Sequence, residues 1–188
     1  MKEKIKRQRN KNPDKNKHYV DNDQFLKAMN DWKKEVRKAK REKLPTPPVT
    51  DYIAKCFYEI AERLSHRPNF INYPFREDMI GDGIENCLQY AHNFDPKKSE
   101  NPFSYFTQII FYAFLRRIEK EKKQAYIKYK CMEASDMDRK YTEWLKEQGE
   151  SFTFGEFLQN NFFISENDIQ NIENKIKKKS KKGRKKKS

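Results

Sequence analysis

The sequence predicts an all-α protein, with a compact helical domain and disordered basic arms. Three observations lead to this fold class. Apolar residues recur at helical spacing through the body of the chain. No segment alternates apolar and polar residues as a half-buried strand does, and only five of the 188 residues are glycine. A hydrophobic content of 35% at this length is enough for one modest core, so we expect a single domain.

The first two helices are predicted from apolar stripes with recognisable starts and stops. The first begins after Asp21 or Asn22 and ends before the proline cluster at residues 44–48, because proline cannot continue a helix. Thr50 or Asp51 caps the second helix. The stripes predicted to face the core are Phe25, Leu26, Met29, Trp32, Val36 and Ala39 in the first helix, and Ile53, Phe57, Ile60, Ala61 and Leu64 in the second.

A polar loop separates a third helix from a long fourth helix. The third runs from about residue 76 to residue 92 and has an acidic outer face. The fourth begins at Asn101 and Pro102, a cap followed by proline at the first helical position, and it continues to near Lys130. Residues 141–148 are also predicted to be helical, and the type of the aromatic segment 152–164 stays open. The residues predicted to face inward are Met79, Ile80, Ile84, Cys87, Leu88 and Ala91 in the third helix, and Trp144 and Leu145 in residues 141–148.

The net charge of +14 is concentrated at the two ends of the chain. Residues 1–17 hold eight Lys/Arg and two acids, and residues 175–188 hold ten Lys/Arg and no acid, which leaves the body at −2. Lysine-rich segments with few aromatic residues bury too little apolar surface to offset the entropy of ordering. We therefore expect four parts: a disordered arm (1–17), a helical domain (18–130), a helical extension (131–174) and a disordered tail (175–188).

Several function classes are not indicated by the sequence. Cys56, Cys87 and Cys131 are widely spaced and form no CxxC pair, and the three histidines supply no second ligand at metal spacing, so we expect free thiols and no metal or cofactor. Residues 81–83, GDG, lie inside a helical pattern and lack the spacing of a phosphate loop. No catalytic constellation, membrane span or signal peptide is recognisable. We expect a cytoplasmic protein that is not an enzyme.

Charge is segregated between the third and fourth helices, and the fourth is rich in aromatic residues. Residues 76–100 hold six acids and three bases, whereas residues 116–130 hold seven bases and two acids. In a nucleic-acid-binding protein, bases stack on exposed rings for roughly 1–3 kcal/mol each while Lys and Arg track the backbone. The alternative is that Phe103, Phe106, Ile110 and Phe114 are simply core. We expect at least two of six rings to be exposed: Phe103, Tyr105, Phe106, Phe111, Tyr112 and Phe114.

The same two segments resemble a known family. Residues 78–95, DMIGDGIENCLQYAHNFD, are similar without a gap to the D-L-V-Q-E-G…G-L…A…F-D stretch of region 2 of bacterial sigma factors. Residues 102–108, PFSYFTQ, followed by RRI at 116–118, resemble the next helix of that family, which melts the promoter. With shorter matches at residues 19–26, 31–33 and 64–65, the chain is most similar to the late-transcription sigma factors of T-even-type bacteriophages, over about residues 19–123.

The resemblance implies partners and roles for particular residues. Host core RNA polymerase would be bound through the clamp helices of its β′ subunit, and promoter DNA through the fourth helix. Ile109 and Ile110 stand where principal sigma factors carry a tryptophan pair, and Ala113 replaces a polar side chain. A short A/T-rich, minus-ten-like element that opens at low cost is therefore the expected target. The polymerase-docking residues would be Asp78, Asp82, Glu85 and Leu88, and the DNA-binding residues Phe103, Phe106, Ile109, Ile110, Ala113, Arg116, Arg117, Lys120 and Lys123.

The resemblance also suggests two further partners. The length leaves no room for the separate helix-turn-helix domain of most sigma factors, so we expect help from a phage coactivator or the DNA sliding clamp. The phage proteins of this resemblance end in an acidic and hydrophobic clamp-binding peptide, whereas this chain ends in Lys and Arg. Residues 154–158, FGEFL, are one candidate for an internal substitute, and the alternative is that they form a helix packed on the domain.

Two alternative functions stay open. The main alternative is a nucleic-acid-binding accessory protein with basic arms and no polymerase contact. A virion or assembly protein is the third hypothesis.

Overall fold

The computed structural model describes residues 19–135, 137–149, 156 and 164–184. Across these residues it contains no strand, which confirms the predicted all-α class. A short 3-10 turn, Ala91–Asn93, follows the third helix. The helices are α1 (Asn22–Arg41), α2 (Asp51–Ser65), α3 (Arg76–Tyr90), α4 (Pro102–Ala134), α5 (Met137–Glu147) and α6 (Glu166–Arg184).

The N-terminal ends of α1, α2 and α4 are fixed by side chains that accept hydrogen bonds from free backbone N–H groups. The Asp21 carboxylate accepts from the N–H groups of residues 23 and 24 at 2.9 and 3.1 Å, and Thr50 Oγ1 accepts from that of residue 53 at 3.4 Å. Asn101 Oδ1 accepts from the N–H of Ser104 at 2.8 Å, and Pro102 occupies the first turn. These three helix starts were predicted from the sequence and are confirmed.

The chain divides into two compact units, and the division falls within α3 and within α4. The first unit comprises Met1–His66 and Gly83–Ile110, and the second comprises Arg67–Asp82 and Phe111–Ser188. None of these division points coincides with residue 130, where we expected the boundary between the helical domain and its extension.

The core of the first unit is a cluster of buried phenylalanines. Phe106 lies at its centre, with ring centroids 4.5 Å from Phe57, 5.6 Å from Phe25 and 5.8 Å from Phe94. All four rings are almost completely shielded from solvent. The indole N–H of Trp32 donates to the Pro48 carbonyl at 2.9 Å and fastens the proline segment against α1. Rings from both α1 and α2 thus pack around the first turns of α4.

The second unit has two apolar clusters along α4. Phe70 packs edge-on against Phe111 and Phe114, with centroids 5.6 and 5.2 Å apart. Further along, Ala125 and Ile164 are buried together. Partly buried side chains cover this second cluster from α4 and α6: Tyr126, Tyr129, Ile169 and Ile172. The segment that follows α5 is therefore anchored on the last turns of α4.

Two sequence expectations are corrected by the helices near the C-terminus. The α6 helix runs to Arg184, through ten residues of the tail that we expected to be disordered, because lysine is a good helix former and α6 is anchored on α4. On α5, Leu145 is 4% exposed as expected, but Trp144 is 52% exposed. Consecutive helical residues point about 100° apart, so one buried face cannot hold both. Residues 1–17 and most of 152–164 lie outside the described residues.

No helix in the described part of the chain combines the length and apolar character needed to span a membrane.

Candidate nucleic-acid interface

In the second unit, one side of α4 exposes an aromatic ring and a row of cations. Tyr112, Arg116, Lys120 and Lys123 follow one another at intervals of four, four and three residues, so they share one side of the helix, and all four are exposed. We call these four residues the basic face. Within the described part of the chain, Lys120 and Lys123 form no ion pair. The basic face offers positive charge beside a ring that is 52% exposed, which suits a nucleic-acid backbone and an unstacked base.

The opposite side of α4 is core. Phe106 and Ile110 have no exposed surface, and Ala113 has almost none. These three residues were predicted to touch DNA, but they cannot do so while they are packed in the core. Phe103 and Ile109 are half-buried, and the Phe103 ring lies against Tyr19 with centroids 5.7 Å apart.

The exposure of the aromatic rings on α4 differs from the expectation. Of the six rings, only Tyr112 is exposed, whereas Phe106 and Phe114 are buried and the remaining three are half-buried. The expected minimum of two exposed rings is therefore not met. Tyr112 was not among the predicted DNA-binding residues, although its position four residues before Arg116 already placed it on the side of the helix that carries the cations.

Arg117 is held by an intramolecular ion pair. Its Nε and Nη2 atoms donate to the two carboxylate oxygens of Asp82 at 2.6 Å each, and Nη1 donates to Glu121 at 3.2 Å. The hydrogen bonds to Asp82, followed by the bond to Glu121, raise the pKa of Arg117. The resemblance to sigma factors had implied that Asp82 binds polymerase and that Arg117 binds DNA. Because the two groups neutralise each other, each is less available to an external partner than its charge suggests.

The α3 helix exposes acidic groups and one leucine. Asp78 and Glu85 are exposed, and Leu88 is 46% exposed, so Leu88 does not belong to the buried stripe in which the sequence had also placed it. Gly81, between these residues on α3, is exposed, and a Cβ atom added there would meet no atom within 4 Å. We call Asp78, Glu85 and Leu88 the acidic face. It could pair with a basic, partly apolar partner surface.

Ion pairs between α4 and α6 neutralise two lysines of residues 116–130 and one lysine of α6. Each pair joins a lysine of one helix to a carboxylate of the other, so part of the charge counted in the sequence is already compensated. The pairs are Lys122 with Asp168 and Lys175 with Glu119, at 2.7 Å each, and Lys130 with Glu173 at 3.2 Å.

Nothing in the described residues assembles into a metal centre, since no group of three or more His, Cys, Asp or Glu side chains could hold an ion. Burial raises the pKa of the Cys87 thiol well above its usual range, which makes this sulfur unreactive. Cys131 is exposed and Cys56 is buried, and both are free thiols.

Comparison with known proteins returned no match for this chain among protein-family models, and none among curated proteins.

Proposed function

We propose that the protein is an RNA polymerase sigma factor for phage late genes, acting in the cytoplasm of an infected bacterial host. In this proposal it binds host core polymerase through α3 and a short A/T-rich promoter element through α4. One observation carries the proposal. The two segments that resemble sigma factor region 2 form consecutive helices, of which α3 exposes acids and α4 exposes cations beside a tyrosine. The opposite charges fit two different partners, because DNA repels the acidic surface of α3 and attracts the basic surface of α4.

Polymerase docking is assigned to the acidic face of α3. Asp78 and Glu85 supply exposed carboxylates, and Leu88 supplies an apolar contact beside them. Asp82 is a weaker candidate than the sequence suggested, because its carboxylate is already bound by Arg117. In the resemblance, the partner surface is the clamp helices of the β′ subunit.

Retention of the full chain on immobilised core polymerase tests the docking. We expect Asp78→Lys with Glu85→Lys to abolish retention, since charge reversal turns attraction into repulsion. The matched control is Glu35→Lys with Glu42→Lys, the same charge change at exposed acids of α1 and its C-terminal end. The docking proposal fails if the wild-type protein is not retained, or if both double variants bind equally.

Strand opening is assigned to Tyr112, with Arg116, Lys120 and Lys123 on the backbone. This differs from the roles implied by the resemblance, in which Phe106 and Ile110 would capture bases. Those side chains fill the core of the first unit, so a base could reach them only after the packing had opened. An exposed ring can stack on a base without that cost, for roughly 1–3 kcal/mol.

Permanganate footprinting of an A/T-rich template with core polymerase tests this role. Tyr112→Ala is expected to reduce thymine reactivity about fivefold or more, as loss of one stacked base predicts, while retention on polymerase stays unchanged. Tyr58→Ala is the matched control, because Tyr58 is a 53% exposed tyrosine on α2. Equal opening by the two variants would remove Tyr112 from the proposal.

The alternative is an accessory nucleic-acid-binding protein with basic arms and no polymerase contact. The observation that favours it is the charge of residues 175–188, which hold ten Lys/Arg and no acid. It predicts tight, salt-sensitive binding to free DNA that is lost when residues 175–188 are removed. Full retention on core polymerase, with weak binding to free DNA, would decide against this alternative.

A further inference from the structure

Three ion pairs place the two sides of α6 near different parts of α4. Asp168 and Lys175 are seven residues apart and share one side of α6, whereas Glu173 lies on the other side. The side of Asp168 and Lys175 faces earlier residues of α4, at positions 122 and 119, and the side of Glu173 faces Lys130. The side of α6 that carries Asp168 and Lys175 is therefore the side nearer to the basic face.

The contact between Lys175 and Glu119 lies at the edge of the basic face. Glu119 is the one exposed acid on α4 between residues 112 and 123. Lys175 Nζ donates to its carboxylate at 2.7 Å. An acid next to Lys120 and Lys123 would repel phosphates, and the cation from α6 cancels that charge.

A second cation follows on the same flank of α6. Lys178 is exposed and lies three residues after Lys175, so the two share one side of the helix. Among the described residues, Lys178 forms no ion pair. The flank of α6 that faces the basic face thus presents one lysine that neutralises an acid and one that is open to an external anion.

We propose that α6 is a second DNA-contacting element, which joins the basic face of α4 to make one surface for the phosphates of duplex DNA. This inference rests on the proposed role of α4 in binding DNA, and it extends that role to the C-terminal helix. Lys175 removes the repulsion from Glu119, and Lys178 contacts the backbone beside Lys120 and Lys123. Phosphate contacts of this kind position a protein on DNA without reading its sequence, so the A/T preference stays with α4.

Three matched double substitutions in the full chain test the inference. The α6 variant is Lys175→Gln with Lys178→Gln, and the α4 variant is Lys120→Gln with Lys123→Gln. The charge control is Arg37→Gln with Lys38→Gln, at exposed cations of α1 that form no ion pair in the described part of the chain. Glutamine is compatible with a helix, and circular dichroism checks that each variant folds.

Binding to a short A/T-rich duplex is measured by fluorescence anisotropy across a range of low salt concentrations. Each lost phosphate contact lowers the slope of log affinity against log salt by about 0.9. The α4 variant should lose about 1.8 from the slope, so its affinity falls about 12-fold less than that of the wild type between about 50 and about 200 mM salt. The α6 variant should lose about 0.9 from the slope, because of its two lysines only Lys178 contacts a phosphate, and its affinity should fall further because Glu119 is no longer neutralised. The α1 control should keep the slope of the wild type.

The outcomes separate failure of this inference from failure of the proposed function. If the α4 variant loses affinity and the α6 variant does not, the inference is overturned and the DNA-binding role of α4 stands. If the α1 control loses as much as the α6 variant, net charge alone explains the effect and the inference is also overturned. If the wild-type protein does not bind the duplex even at the lowest salt concentration, where weak binding is still measurable, the proposed DNA surface fails as a whole. It fails likewise if neither the α4 nor the α6 variant loses affinity.

Discussion

The guanidinium of Arg117 binds the carboxylate of Asp82 through two hydrogen bonds of 2.6 Å, across 35 residues of sequence. This pair joins α3 to α4 within the second unit. Both side chains are largely shielded from solvent, and Glu121 completes the arrangement from the next turn of α4. Parallel hydrogen bonds of this kind are stronger than an exposed ion pair because two charge-assisted bonds form in one fixed geometry. We therefore infer that the pair stabilises the fold.

The first prediction is that Arg117→Ala destabilises the protein more than Lys120→Ala. Loss of the charge-assisted hydrogen bonds should lower the free energy of unfolding by about 1.5–3 kcal/mol, whereas the exposed Lys120 should change it by less than about 0.5 kcal/mol. Urea unfolding followed by circular dichroism measures both. A double-mutant cycle with Asp82→Ala should show coupling between the two residues. Additive losses would mean that the pair contributes nothing.

The helices were predictable from the sequence because their signals are local. Asp21, Thr50 and Asn101 cap helices by accepting hydrogen bonds from residues two or three positions later, so the pattern is visible in a short window. Burial within α4 was less predictable. Its apolar and aromatic residues occupy more than one side of the helix, and which rings are covered depends on contacts from distant segments, such as Phe57 and Phe94 around Phe106.

The candidate site was only partly predictable for the same reason. Charged residues can be counted in a sequence, but the ion pairs that neutralise them depend on the fold. Arg117 and Lys122 look equivalent to Lys120 and Lys123 along the chain, yet the first two are paired with carboxylates 35 and 46 residues away. The candidate DNA-binding surface is therefore smaller than the one expected from the sequence. It consists of the exposed cations Arg116, Lys120 and Lys123, together with Tyr112, which was not expected.

The second prediction concerns Phe106. Phe106→Ala should lower the free energy of unfolding by about 3–5 kcal/mol, because the ring is completely buried among Phe25, Phe57 and Phe94. Phe103→Ala is the control, since Phe103 is a half-buried ring one turn earlier and should cost less. Thermal unfolding compares the two variants. If Phe106→Ala kept the wild-type melting temperature and lost promoter opening alone, the ring would be a DNA contact rather than core.

The third prediction contrasts two neighbouring residues of α5. Leu145→Ala should cost about 2–5 kcal/mol, because a buried leucine leaves a cavity when it is truncated. Trp144→Ala should cost at most about 1.5 kcal/mol, since the indole is 52% exposed and stacks on Tyr141, with ring centroids 5.9 Å apart. Urea unfolding of the two variants provides the comparison. A larger loss for Trp144→Ala would show that the indole is covered.

The fourth prediction is a pH dependence of stability that arises from Asp168. Burial acts to raise the pKa of this carboxyl, but hydrogen bonds from Lys122 at 2.7 Å and from the Ser165 hydroxyl at 2.8 Å outweigh it, and the pKa is lowered. A carboxyl with a lowered pKa in the folded state contributes stability above its unfolded value of 3.8, and this contribution disappears as the pH falls through the folded value.

The Asp168→Asn variant should therefore be less stable than the wild type at neutral pH, and the difference should shrink as the solution is acidified below pH 3.8. Urea unfolding at a series of pH values measures this convergence. Glu35→Gln is the control, at an exposed carboxylate of α1. A constant difference between wild type and Asp168→Asn across the acid range would mean that the ionised form of Asp168 does not stabilise the contact between α6 and α4. Convergence would show that the pair with Lys122 helps to hold α6 on α4, which the proposed DNA surface requires.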